Sequence, residues 1–177
     1  AFLPYGAIGC MLGAVMLAHI YAVSVETALI TAVILIILIL LYYGFQPGDS
    51  FWLVLTPVAF LLKIPFAVPL LAGLSGSLLT VIPVGSGVVI AFIISYVKQN
   101  AGLLTNDTSV DITQKFVQII RNLLLNQEMM LMIMVCAVGI LCVYLLHNMS
   151  LDYAWEIAIV TGTIAQLAAV FVGDFLF

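Results

Sequence analysis

Charge is what this sequence lacks most. Of 177 residues, four are Lys or Arg and eight are Asp or Glu, 7% in all, against roughly a quarter in an ordinary soluble domain. Four cations do not make the clustered basic footprint that a phosphate backbone requires, so nucleic acid is excluded as a partner. Cysteine is scarce too. Cys10, Cys136 and Cys142 all lie in apolar runs and none has CxxC-type spacing, so they read as small buried hydrophobes rather than ligands. No metal, nucleotide, cofactor or catalytic motif stands out, and the reading is non-enzymatic with no cofactor. No internal repeat is visible either, which weighs against an inverted-repeat transporter.

Apolar length is what the chain has in excess. It is 66% hydrophobic with a mean hydropathy of +1.34. Residues 28–45, 51–74, 129–146 and 153–177 are runs of bilayer length or nearly so, since a crossing helix takes roughly 20 residues. The expected fold is an all-α integral membrane protein, one polytopic domain over 1–177. About six transmembrane helices are expected: 2–23, 28–43, 51–74, 78–97, 129–146 and 153–177. The first run has no basic flank and no cleavage-site pattern, so it reads as a membrane helix rather than a signal peptide.

Several stretches carry more than hydrophobicity. Gly9 and Gly13, followed by Ala14, Ala18 and Ala22, put small residues on the first span, the pattern by which membrane helices approach closely. That face either docks another subunit or packs inside the chain's own bundle. The second span has no polar atom from Val33 to Leu41 and suits lipid contact. Tyr42 and Tyr43 close it at interface depth, and Pro47-Gly48-Asp49 marks a turn. Residues 51–97 hold four of the six prolines, Pro57, Pro65, Pro69 and Pro83, with Gly73, Gly76, Gly85 and Gly87. They form a Pro/Gly-broken hairpin that turns at Ser75-Gly76-Ser77. An alternative makes Pro65–Leu74 a re-entrant half-helix. Freed carbonyls in such a hairpin need partners within the protein.

Residues 98–128 are the only sizeable polar stretch. Asp111 and Gln114 have capping-box spacing. After them Ile112, Phe116, Ile119, Ile120, Leu123 and Leu124 recur at helical spacing, opposite Gln114, Lys115, Gln118, Arg121 and Asn122. This is an amphipathic helix over 111–126, lying at the membrane surface or docking a partner, with Phe116, Ile120 and Leu124 buried. Three of the four basic residues, Lys98, Lys115 and Arg121, fall in this segment and set it on the cytoplasmic side. Six spans then put both termini in the cytoplasm, with the plasma membrane as the expected location. Four methionines open the fifth span, and Tyr153 and Trp155 anchor the sixth. Asn106-Asp-Thr108 and Asn148-Met-Ser150 match the glycosylation pattern, but they sit in loops close to the membrane.

The candidate intramembrane polar site is Lys63 with Glu156. Lys63 lies in the middle of 51–74, where a charge costs roughly 2.5–3.5 kcal/mol. It should therefore point into the bundle, and Glu156 in the last span is the first-choice partner. The alternatives are a structural pair or a snorkelling Lys. Asp174 is near the far end of that span. His19 and Gln166 are further polar groups within spans, without a sequence partner. Gly73-Leu-Ser75-Gly76 resembles the nucleophile motif of rhomboid intramembrane proteases. That likeness implies a serine nucleophile and a later histidine base, for which His147 is the one candidate, and the rest of the family's pattern is missing.

Two functional classes follow. The first is a non-enzymatic membrane subunit of a larger assembly, with the lipid bilayer and other membrane subunits, or further copies of itself, as partners. The second is a small-solute transporter or substrate-capture subunit with a site around Lys63. In size and number of spans the chain is similar to the substrate-binding membrane subunits of energy-coupling factor transporters, which implies the second class. The first is favoured by the short loops and the scarcity of intramembrane polar groups.

Overall fold

The computed structural model describes residues 5–45, 50–75, 77–106, 112–149 and 153–176. Eight α-helices run through them: α1 Tyr5–Val23, α2 Val25–Phe45, α3 Ser50–Leu61, α4 Ala67–Leu74, α5 Val81–Asn106, α6 Ile112–Leu124, α7 Gln127–His147 and α8 Ala154–Leu176. A 3-10 turn over Leu78–Thr80 precedes α5. No strand occurs among the described residues. Four helical stretches are long and apolar enough to cross a membrane: Val25–Tyr42, Leu78–Gly102, Thr113–His147 and Ala154–Gly173. Gly9–Val23 and Phe51–Leu61 are shorter apolar helices. Several expectations fall outside the described residues: the Pro47-Gly48-Asp49 turn, Asp111 of the capping box, Gly76, and Asp107, Thr108 and Ser150 of the two glycosylation matches.

The chain divides into two compact units, Ala1–Pro47 with Phe92–Asn126, and Gly48–Ala91 with Gln127–Phe177. Helix α5 contributes its residues through Ala91 to the second unit and the rest to the first.

In the first unit, α2 packs against both α1 and α6. Only Ser24 separates α1 from α2. Its amide donates to the Ile20 carbonyl and its carbonyl accepts from the Ala28 amide. Its hydroxyl oxygen accepts from the Thr27 amide at 3.3 Å and the Thr27 hydroxyl at 3.1 Å, and donates to the Glu26 carboxylate at 2.9 Å. Ser24 is thus an N-cap, satisfying an amide that the first turn of a helix leaves without a partner. Helix α6 buries Ile119 and Leu123, leaves Phe116 half-buried, and exposes Val117, Ile120 and Leu124.

In the second unit, α7 and α8 are antiparallel neighbours. Leu131 lies against Gly173, Gly139 against Gln166, and Val143 against Gly162. Helix α4 packs on α7 and also meets α8: Gly73 faces Val143 and the Ile140 carbonyl, and Leu70 reaches Gly162. Gly85 of α5 stands beside Ile133, farther down α7, and Gly87 beside Thr56 of α3. So α4, the 3-10 turn and the start of α5 descend together along α7. Helix α3 climbs the other way, from the level of Gly87 toward the end where α7 stops and α8 begins.

This corrects the reading of 51–74 as one span. The hairpin turns at Leu62–Phe66, not at Ser75–Ser77. Helix α3 stops because Lys63 takes a left-handed conformation, with φ of 61°. The Ile64 amide then donates to the Ala59 carbonyl at 2.9 Å and the Lys63 amide to the Phe60 carbonyl at 3.1 Å. This paired 6→1 and 5→2 pattern is a Schellman cap, with Lys where glycine usually stands. Pro65 follows, which has no amide to continue the helix and disfavours helical geometry at Ile64. Pro69 and Pro83 are each the third residue of a helix, where no amide partner is lost. Ser75, which caps α4, and Ser77, which precedes the 3-10 turn, instead belong to the descending segment.

Candidate functional site

Lys63 and Glu156 both belong to the second unit, and both are exposed. Leu70 sits at the level of Val143, four residues before the end of α7. Lys63, seven residues before Leu70, therefore lies at the end of the unit where α7 gives way to α8. Glu156 is in the first turn of α8. The break thus moves Lys63 from the middle of the expected span to a turn, at the end of the unit that also carries Glu156. No ion pair joins the two among the described residues. The same end carries His147, Asn148, Tyr153 and Trp155, all exposed. Such residues settle where an amphipathic side chain can touch both hydrocarbon and water.

The small-residue face of α1 is divided. Gly9 and Gly13 are half-buried, on the same side as buried Ile20, yet a Cβ on either would meet no atom within 4 Å. Ala14 and Ala18 are exposed on the outer side, with Met11 and Val15, and His19 and Cys10 are exposed as well. Asp174 lies in the last turns of α8.

The rhomboid-like arrangement is not assembled. Ser75 donates its hydroxyl to the Ala72 carbonyl at 2.7 Å. His147 sits one turn beyond Val143, away from the direction in which α4 runs on to Ser75. Among the described residues no group of three or more His, Cys, Asp or Glu side chains is placed to hold a metal ion.

The largest polar side chain buried in the second unit, among the described residues, is Gln166. It is 2% exposed, and neither its Nε2 nor its Oε1 has a hydrogen-bond partner among the described residues. It lies so close to Gly139 that a Cβ there would overlap its carboxamide. One residue along α7, the Ile140 carbonyl faces Gly73 near the end of α4. Gln166 and the interrupted end of α4 thus approach the same turn of α7 from two sides. Sequence reasoning marked Gln166 as polar within a span but gave it no role, because a lone Gln in an apolar run has no spacing signal. Gly139 and Gly162, isolated glycines in α7 and α8, were not singled out.

No protein-family model, characterised protein or solved structure matches this chain.

Proposed function

We propose that the chain is a non-enzymatic, multi-pass subunit of a larger membrane assembly. The observation that carries this reading is the outer face of α1. His19 is exposed on this otherwise apolar helix, with exposed Ala22 one turn on and Ala18 next to it in the chain. Hydrocarbon offers an imidazole no hydrogen-bond partner, so a polar side chain on such a face calls for one from outside the chain. The small residues next to it admit a neighbouring helix closely.

The proposed topology has six crossings: α1, α2, α3 with its turn, α4 through α5, α7 and α8. Helix α6 lies at the cytoplasmic surface, and both ends of the chain face the cytoplasm of the plasma membrane. The Lys63 turn and the loop between α7 and α8 then face outward together. In a cysteine-free background, an impermeant thiol reagent applied to intact cells should label Lys63→Cys and spare Asn106→Cys; the reverse pattern inverts the topology. Purification in mild detergent tests the assembly. Unlike subunits or a ring of copies support it, and the loss of that association in His19→Leu identifies the face. A single chain with no associated protein sinks the reading.

The second reading is small-solute transport or capture; what supports it lies not around Lys63, where its site was expected, but at Gln166 and the break between α4 and α5. Pro/Gly-interrupted segments at mid-membrane are where transporter sites are built.

A further inference from the structure

We infer that the junction of α4, α7 and α8 is a binding site for a small uncharged solute that both donates and accepts hydrogen bonds, with the Gln166 carboxamide as its recognising group. Two independent observations meet there. The first is Gln166 itself, 2% exposed with both polar atoms unpartnered among the described residues. An amide enclosed in this way loses its hydration without compensation, whereas an apolar side chain of the same shape would cost nothing. The second is the interrupted backbone. Helix α4 ends at Leu74, with Ser75 as its cap, and α5 starts only at Val81 after the 3-10 turn. Gly73, one residue before the end of α4, lies against Ile140, in the turn of α7 that also carries Gly139. An interrupted helix presents carbonyls at the end of one half and amides at the start of the next, the two functions that a carboxamide also combines.

The surroundings fix the charge of the ligand. No Asp, Glu, Lys, Arg or His occurs in 67–74, 77–91, 129–146 or 157–173. A charged solute would meet no counter-charge from any of these elements and would bear its full desolvation cost. An amide or a polyol asks only for the donors and acceptors that are present. Gly139 serves the site by letting the carboxamide lie flat against α7. The inference gives the transport reading a location other than Lys63, and it stands whether or not the chain works in an assembly.

The test uses the purified full chain in nanodiscs, with acetamide as probe and acetate as its charged counterpart. Thermal unfolding of the wild type should shift upward with acetamide and not with acetate. At ten times the dissociation constant, acetamide multiplies the folding equilibrium constant about elevenfold. Gln166→Met keeps the volume and removes the hydrogen-bonding groups. It should unfold at a higher temperature than the wild type without solute and show no response to acetamide. A Gln166→Met protein less stable than the wild type overturns the inference, because the carboxamide would then be bonded within the chain. An equal acetamide shift in both proteins overturns it as well, as does no shift in the wild type. Should Gln166→Met fail to fold, wild-type protein labelled at glutamine nitrogen decides. The Gln166 side-chain signal, assigned through its contact with Gly139, either moves and saturates with acetamide or stays in place and refutes the site.

Discussion

In the unit built on α1, α2 and α6, a Cβ added at Gly9 or Gly13 would meet no atom within 4 Å, whereas in the unit built on α3, α4, α7 and α8 one added at Gly73 would land 2.6 Å from the Cβ of Val143. Both regions are read as sharing one solvent, and the more conspicuous glycine motif is in the first. Yet it is the scattered glycines of the second that bring backbones together. A GxxxG spacing records only that a helix is able to be approached. Whether anything approaches depends on the partner helix, and Val143 in α7 supplies the shape that fits against Gly73 and Gly162. In the first unit the close polar contacts lie at the start of α2, where Ser24 and Thr27 share their hydroxyls.

The largest effect that tests this contrast is Gly73→Ala. The new methyl would meet the Val143 side chain and stand 3.1 Å from the Ile140 carbonyl, a backbone atom that does not yield readily. A loss of about 1–3 kcal/mol is expected, as for other overpacked cores, read from thermal unfolding in detergent; an unchanged midpoint would remove the contrast between the units. Ser24→Ala comes next. Loss of its cap should cost ~1 kcal/mol, while Ser24→Gly should cost only a few tenths, since glycine is tolerated at that position. Similar losses for both would mean that the hydroxyl network, and not the cap, holds α2. Lys63→Gly should act in the opposite direction and stabilise by about 1 kcal/mol, because a side chain at φ of 61° bears a strain that glycine does not. Destabilisation there would restore a bonded role for the ammonium. In the same assay Lys63→Met and Glu156→Gln should add to within about 0.5 kcal/mol, and a larger coupling would reinstate them as a pair. The smallest effect belongs to Gly9→Ala and Gly13→Ala. With no atom in reach, each should leave the isolated chain unchanged or slightly stabilised, alanine being the better helix former. A loss comparable to that of Gly73→Ala would show that the two units pack alike.

Much of the fold was legible from composition and period. The expected runs 129–146 and 153–177 became α7 and α8 with boundaries shifted by one or two residues, because a long apolar run bounded by polar residues has few other options. The stretch 111–126 became α6, Ile112–Leu124. The position of the hairpin turn was legible only in the alternative that set Pro65–Leu74 apart as a half-helix, and not in the favoured division. Ser75-Gly76-Ser77 carries the ordinary signals of a turn, whereas the cap that ends α3 uses a lysine where glycine is the usual sign. The division of the apolar side of α6 into Ile119 and Leu123, buried, and Val117, Ile120 and Leu124, exposed, was also out of reach, since it depends on where α2 lies. For the candidate site, the sequence pointed to Lys63 because a charge within an apolar run is conspicuous. It marked Gln166 but gave it no role, because an uncharged amide is less conspicuous and because its significance rests on the absence of a partner among the described residues, which only packing reveals.

The second unit is made of two stretches of chain separated by residues 92–126, and this has a consequence for biogenesis. A nascent chain emerges from its N-terminus. Helix α4 is therefore synthesised and delivered to the bilayer seventy positions before Val143, the side chain that Gly73 packs against, has been translated. At eight residues, about 12 Å in length, it is too short to hold a place in the membrane by hydrophobicity alone. Helices α7 and α8, by contrast, are joined by a short loop and meet as soon as both are made. During synthesis the first half of this unit must wait in an unfinished state, with its break unshielded, until the last fifty residues close over it. The C-terminal hairpin is thus the step that completes the unit, and a ribosome stalled before α7 would leave behind an intermediate for the cell's membrane quality control to recognise.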